Sequence, residues 1–167
     1  MKTSSLRYYL QNCFLLTIPI LIWNLALTDD LPEPFQPERF GARIPPVLAY
    51  GETIFRMGVF VLAFLMPLRL TTNTQKNGFY LYLFGLAVYF ASWLALLVWP
   101  DCRWSRSLAG FAAPAYTPVL WLAGIALMGH SFYFGLPFRR WVFGLVSLLF
   151  LGFHVSHAVL VYSRLPE

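Results

Sequence analysis

Glu52, Arg56, His154 and His157 are the residues of this sequence equipped for chemistry inside apolar surroundings. Glu52 and Arg56 lie four apart in Tyr50–Leu70, a stretch apolar enough to cross a bilayer, so a helix puts both side chains on one face. Charges at that depth are expensive and face a protein interior or a water-filled cavity. A carboxylate there can handle a proton or a cation. A guanidinium can grip an anionic group, such as a lipid phosphate, through its planar fork of donors. The plainer alternative is a pair that neutralises itself, because buried charges are normally paired. His154 and His157 lie three apart and share a face of a second apolar stretch. Two histidines with the Glu52 carboxylate make a candidate metal-ligand set for zinc or iron. The spacing is not H-E-x-x-H, and a proton relay or hydrogen bonds to neighbouring helices are the competing readings. The residues do not define which cofactor, if any, is used.

Such side chains must be positioned by membrane helices. Hydrophobic residues make up 59% of the 167-residue chain and charged residues 11%, against roughly 45–50% and 25% in soluble domains. The expected fold is all-α: a polytopic membrane protein with five transmembrane helices, forming one transmembrane domain over residues 1–167. The spans are read at about 10–27, 47–68, 79–99, 119–136 and 141–162, lengths that suit a bilayer core. The first apolar run lacks a small-residue cleavage pattern and is read as an uncleaved span. Residues 28–46 carry five prolines and form an outer loop, expected to be extended or polyproline-like and to lie as a lid over the helix ends through Leu31, Phe35, Phe40 and Ile44. Residues 71–77 read as a short polar turn, and 137–140 as a tight one. Residues 101–118 read as an interfacial or re-entrant segment after the third span, with Trp104, Leu108 and Phe111 in the lipid boundary.

Orientation follows from loop charge. With the N-terminus in the cytoplasm, Lys2, Arg7, Arg69, Lys76, Arg139 and Arg140 are inside, against Arg39, Arg43, Arg103, Arg106 and Arg164 outside. All loop acids are then outside as well, and the C-terminus is outside. The helical rise places Glu52 and Arg56 roughly 8 and 14 Å below the outer end of span two, and His157 and His154 roughly 8 and 12 Å below that face. Asn24, Tyr89 and Ser92 fall at similar depths. These seven residues define one candidate pocket that opens outward. His130, near the other end of span four, is too far away to join it and reads as an interface contact with Ser131 and Tyr133. Gly152 and Ser156, four apart, have the spacing of a close helix contact, and Gly58, Gly85 and Gly124 are expected to permit close approach on their own spans.

The chain has no G-x-S-x-G, no P-loop, no dinucleotide glycine motif and no close cysteine pair. In length, span number and abundance of Trp and Pro it resembles the TspO translocator family in overall shape; no run of motif residues aligns, and no functional residue is carried over. Three functions fit the residues. The first is a binding or accessory protein whose pocket takes a small amphiphile or lipid headgroup. The second is an intramembrane enzyme using Glu52, His154 and His157 as acid–base groups or metal ligands. The third is a proton- or ion-coupled transporter, which a chain this small would build as a homo-oligomer. The expected partners are the lipid bilayer and a small amphiphilic ligand. Nucleic acid is not among them, because the basic residues are spread over loops and helix ends.

Overall fold

The computed structural model describes residues 9–165. Lys2, Arg7 and Glu167, which enter the charge count, lie outside the described residues. The structure is all-helical, with no strand among the described residues and one isolated antiparallel bridge between Asn12 and Pro67. A 3-10 turn at Cys13–Thr17 leads into α1 (Ile18–Ala26). Then come α2 (Pro46–Leu65), α3 (Asn73–Val98), α4 (Pro118–Met128) and α5 (Arg140–Tyr162). The helices α2, α3 and α5, of 20, 26 and 23 residues, are each long and apolar enough to cross a membrane. Two further apolar helical stretches, Cys13–Ala26 and Ala113–Met128, are shorter.

Helix α2 presents an apolar face. Val47, Tyr50, Ile54, Met57, Val61 and Phe64 recur at helical spacing and are all exposed. A stripe of this kind suits an apolar partner, lipid or protein. The opposite side buries Glu52, Val59 and Ala63.

The most extensive packing joins α3 to α4 and α2 to α5, and α4 also packs on α5. Glycine permits the α3–α4 contact. A Cβ on Gly85 would stand 2.4 Å from the backbone nitrogen of Trp121, and one on Gly124 would stand 2.6 Å from that of Tyr82. These two glycines therefore do what small residues at a helix contact are expected to do. Gly152 does not: a Cβ there would meet nothing within 4 Å, and Ser156 is exposed. That pair faces away from the other helices.

Several boundaries differ from the sequence reading. Residues 73–77 belong to the first turn of α3. The Thr72 hydroxyl accepts from the Gln75 backbone N–H, and the Gln75 side chain accepts from the Thr72 N–H. This reciprocal cap starts a helix inside a polar stretch. Span four was expected to reach residue 136, but α4 stops at Met128. Gly129 leaves the helix in an extended conformation, and the carbonyls freed there are taken by Gln75 Nε2 on Met128 O (3.2 Å) and Arg140 Nε on Gly129 O (3.4 Å). Residues 129–139 are a longer connection than the tight turn expected, and hold one short 3-10 turn, Tyr133–Gly135.

The proline-rich loop is also more helical than expected. It holds 3-10 turns at Thr28–Asp30 and Glu33–Phe35 and a short helix at Pro37–Phe40. Prolines sit at the starts of the second and third of these, where a missing N–H costs nothing and the fixed φ favours helix. After α3, residues 101–117 fold back over the bundle with single turns at Leu108–Phe111 and Ala113–Tyr116. Trp104 and Leu108 are exposed, as the lipid-boundary reading requires. Phe111 is not. It is buried and stacks on Phe35 of the lid at 4.4 Å.

Candidate functional site

Glu52 is buried on α2 and is the hub of the site. Arg56, one turn further on, donates from Nη2 to Glu52 Oε1. From α5, His154 Nδ1 lies 3.1 Å from the same oxygen. His157 Nδ1 lies 2.6 Å from Glu52 Oε2. The i,i+4 spacing on one helix and the i,i+3 spacing on the other therefore converge, because α2 and α5 pack side by side. Aromatic rings frame the cluster. Phe150 is stacked on His154 with ring centroids 5.4 Å apart, and the Arg56 guanidinium stands 5.7 Å from the Phe150 centroid.

The fourth partner is the lid. His157 Nε2 lies 2.9 Å from the Phe40 carbonyl oxygen, and the Phe40 ring stacks on the imidazole at 4.3 Å. Arg164, just past α5, donates to the carbonyls of Ala42 and Arg43. The proline-rich segment is thus tied to α5 by side-chain contacts to its backbone.

Two cavities meet beside this cluster. One, of about 210 Å³, lies under the lid between Leu31, Phe35, Trp93 and Phe111. The other, of about 360 Å³, lies deeper and is lined by Arg56, Tyr89, Trp121 and Phe150 among others. Asn24, Pro114 and His154 line both. Glu52 and His157 line neither; they stand behind Arg56 and His154 and hold them.

The remaining candidates divide. Tyr89 donates to Asn24 Oδ1 at 2.6 Å, which joins α3 to α1 at the cavity wall. Ser92 is buried and its hydroxyl donates to the Tyr89 carbonyl at 2.6 Å, within its own helix. It lines neither cavity. His130 lies apart from the site, within 3.2 Å of Gln75 Nε2 and 3.4 Å of the Ser131 hydroxyl. Among the described residues no group of three or more His, Cys, Asp or Glu side chains is arranged to hold a metal ion. The Arg56 cation shares Glu52 Oε1 with His154, so the carboxylate is already engaged by three donors-in-waiting.

Sequence reasoning did not single out Pro114, Trp121 or Phe150 for this site. The signal available for Pro114 is the proline itself, which interrupts a continuous helix through 101–118. The Phe40 carbonyl has no sequence signal, since any residue supplies one.

Fold and cluster together define an all-helical protein with three helices able to cross a membrane and a Glu–His–His–Arg site, its Glu52 and His157 buried, beneath a lid. No family model matches the chain, and neither a curated protein nor a solved structure matches it. The function is therefore argued from the site.

Proposed function

We propose that this is a five-span membrane protein, with its N-terminus in the cytoplasm and its C-terminus outside, that binds a small amphiphile in an outward-facing pocket. The two shorter apolar stretches supply the first and fourth spans. The observation that carries the binding reading is that the two cavities share Asn24, Pro114 and His154 as walls, which sets an apolar compartment under the lid beside one that presents a guanidinium. The deeper cavity falls within the usual range of small-molecule sites, roughly 300–1,000 Å³, and such sites combine apolar walls with a few placed polar groups.

Extraction of the purified protein and mass spectrometry of what it carries is the test. The wild type should retain an amphiphile in near-stoichiometric amount, and Arg56→Ala and Glu52→Gln should each lose most of it while remaining folded. If both variants keep the occupant and lose only thermal stability, the pair is structural and the binding reading falls.

One observation favours an enzymatic second reading. His154 engages Glu52 through Nδ1, and its ring borders both cavities. A carboxylate behind an imidazole that faces a cavity is the arrangement of an acid–base histidine. Turnover of an ester or acyl substrate that disappears in His154→Gln, with binding retained, would favour it over simple binding.

A further inference from the structure

The hydrogen-bond partners fix the net charge of the cluster. The Phe40 carbonyl can only accept, so His157 Nε2 carries a hydrogen. The 2.6 Å contact between His157 Nδ1 and Glu52 Oε2 must also contain one proton, because two bare lone pairs would repel. That proton rests on the imidazole or on the carboxyl. In the first case a cation faces an anion; in the second, both groups are neutral. Either way, Glu52 and His157 together carry no net charge.

Arg56 remains. Its charge is permanent, and the carboxylate it touches is already balanced by His157. Glu52 is the only acid of the sequence between Glu38 and Asp101. Of the other acids, Glu33 is paired with Arg39 and Asp101 with Arg106, both at the surface, and Glu38 is exposed in the lid. His154 adds nothing or one further positive charge. The site therefore carries at least one uncompensated positive charge, on a side chain 44% exposed and lining the deeper cavity. A net charge in such surroundings is costly unless a counter-ion or water meets it. No acid lines the cavity: its other polar walls, Thr17, Asn24 and Tyr89, are neutral, and Ile20, Val59, Phe60 and Trp121 are largely apolar.

We infer that the pocket takes an anionic amphiphile, with a carboxylate or phosphate set against Arg56 and His154 and its hydrocarbon against the apolar walls. This rests on the amphiphile-binding reading and narrows it to one sign of charge. Arg supplies a forked donor pair matched to either oxyanion, and His154, which borders both cavities, adds a donor from Nε2 in its imidazolium form.

The experiment uses the full chain in nanodiscs of zwitterionic phosphatidylcholine. Four radiolabelled probes share a sixteen-carbon chain: palmitate, hexadecyl phosphate, hexadecanol and hexadecylamine. Wild type should bind palmitate or hexadecyl phosphate at least tenfold more tightly than the neutral or cationic probe. A preference between the two anions identifies a fatty-acid or a phospholipid-type source. Arg56→Gln should remove the preference and Arg56→Lys should keep most of it, with melting temperatures in the same nanodiscs showing that both variants fold. If hexadecanol binds as tightly as the anions, the charge inference is overturned and amphiphile binding stands. If none of the four binds, both fall.

Discussion

His157 holds the lid. Its Nε2 meets the Phe40 carbonyl at 2.9 Å while the Phe40 ring covers its face, so one side chain of α5 fixes both the backbone and the side chain of the proline-rich segment. Replacing His157 by Gln should release this contact and raise the population of open lid. A lost hydrogen bond of about 1 kcal/mol corresponds to roughly a fivefold change in that population. Trypsin cleavage after Arg39 and Arg43 would measure it, and should quicken in His157→Gln but not in His154→Gln, which leaves the Phe40 contact intact.

Glu52 receives donors from two helices, so its removal should loosen the α2–α5 contact. Breaking a fully buried charge pair costs roughly 3–5 kcal/mol. Arg56 is half exposed, which lowers the expectation to about 2 kcal/mol. For a chain of this size that is a fall in Tm of roughly 4–8 °C. Thermal unfolding of Glu52→Gln in detergent checks it. A double variant, Glu52→Gln with Arg56→Gln, should recover part of the loss because no unpaired charge remains.

Gly85→Ala and Gly124→Ala should both destabilise the protein by about 1–3 kcal/mol, the cost of overpacking a close contact. The atoms in the way belong to the Trp121 and Tyr82 backbone, which cannot swing aside. Gly152→Ala meets no neighbour within 4 Å and should be neutral or slightly stabilising, since alanine favours helix over glycine. Parallel melting curves of the three variants decide the matter.

The Gln75 side chain accepts from the Thr72 N–H at the start of α3 and donates to Met128 O at the end of α4. Gln75→Ala removes both side-chain contacts and keeps the backbone N–H that donates to the Thr72 hydroxyl. Loss of a cap interaction costs about 1 kcal/mol, and a buried carbonyl left without its donor costs about 1–3 kcal/mol. The melting temperature should fall by more than in Thr72→Ala, which removes only the cap.

Cys102 reports on orientation. It is free and lies past α3 on the lid side of the bundle, while Cys13 is free and fully buried. Hydrogen bonding with the Ser105 side chain, together with the Ser105 backbone N–H, holds the Cys102 thiol below its usual range. A membrane-impermeant maleimide should therefore label Cys102 on intact cells, and more slowly in Ser105→Ala. Labelling that requires permeabilisation would reverse the proposed topology.

What could be read from the sequence was what depends on local spacing. The pairs at 52/56 and 154/157 announce shared helix faces, and the helical rise sets all four at similar depth. Their convergence on one carboxylate follows once α2 and α5 are neighbours. The lid residues Leu31, Phe35 and Phe40 were also visible, as apolar side chains in a segment that prolines exclude from a long helix. What escaped was decided by particular tertiary partners. Ser92 has the right depth but turns to its own backbone. Phe111 looks like a lipid anchor until Phe35 covers it. Gln75 sits in a polar run that resembles a turn, and becomes helical through its reciprocal cap and its bond to α4.

The apolar stretch Ala113–Met128, proposed above as the fourth span, has 16 residues, which at 1.5 Å each rise about 24 Å, short of the roughly 30 Å of a bilayer's hydrocarbon. A helix this short cannot match the membrane alone. It need not, because Trp121, Leu122, Gly124, Ile125 and Met128 are buried against its neighbours. Where the stretch ends, protein donors take water's place: Gln75 Nε2 meets the Met128 carbonyl and Arg140 Nε that of Gly129. The surrounding leaflets should accordingly thin around this side of the molecule, and the protein should favour thinner membranes over thick, sterol-rich ones.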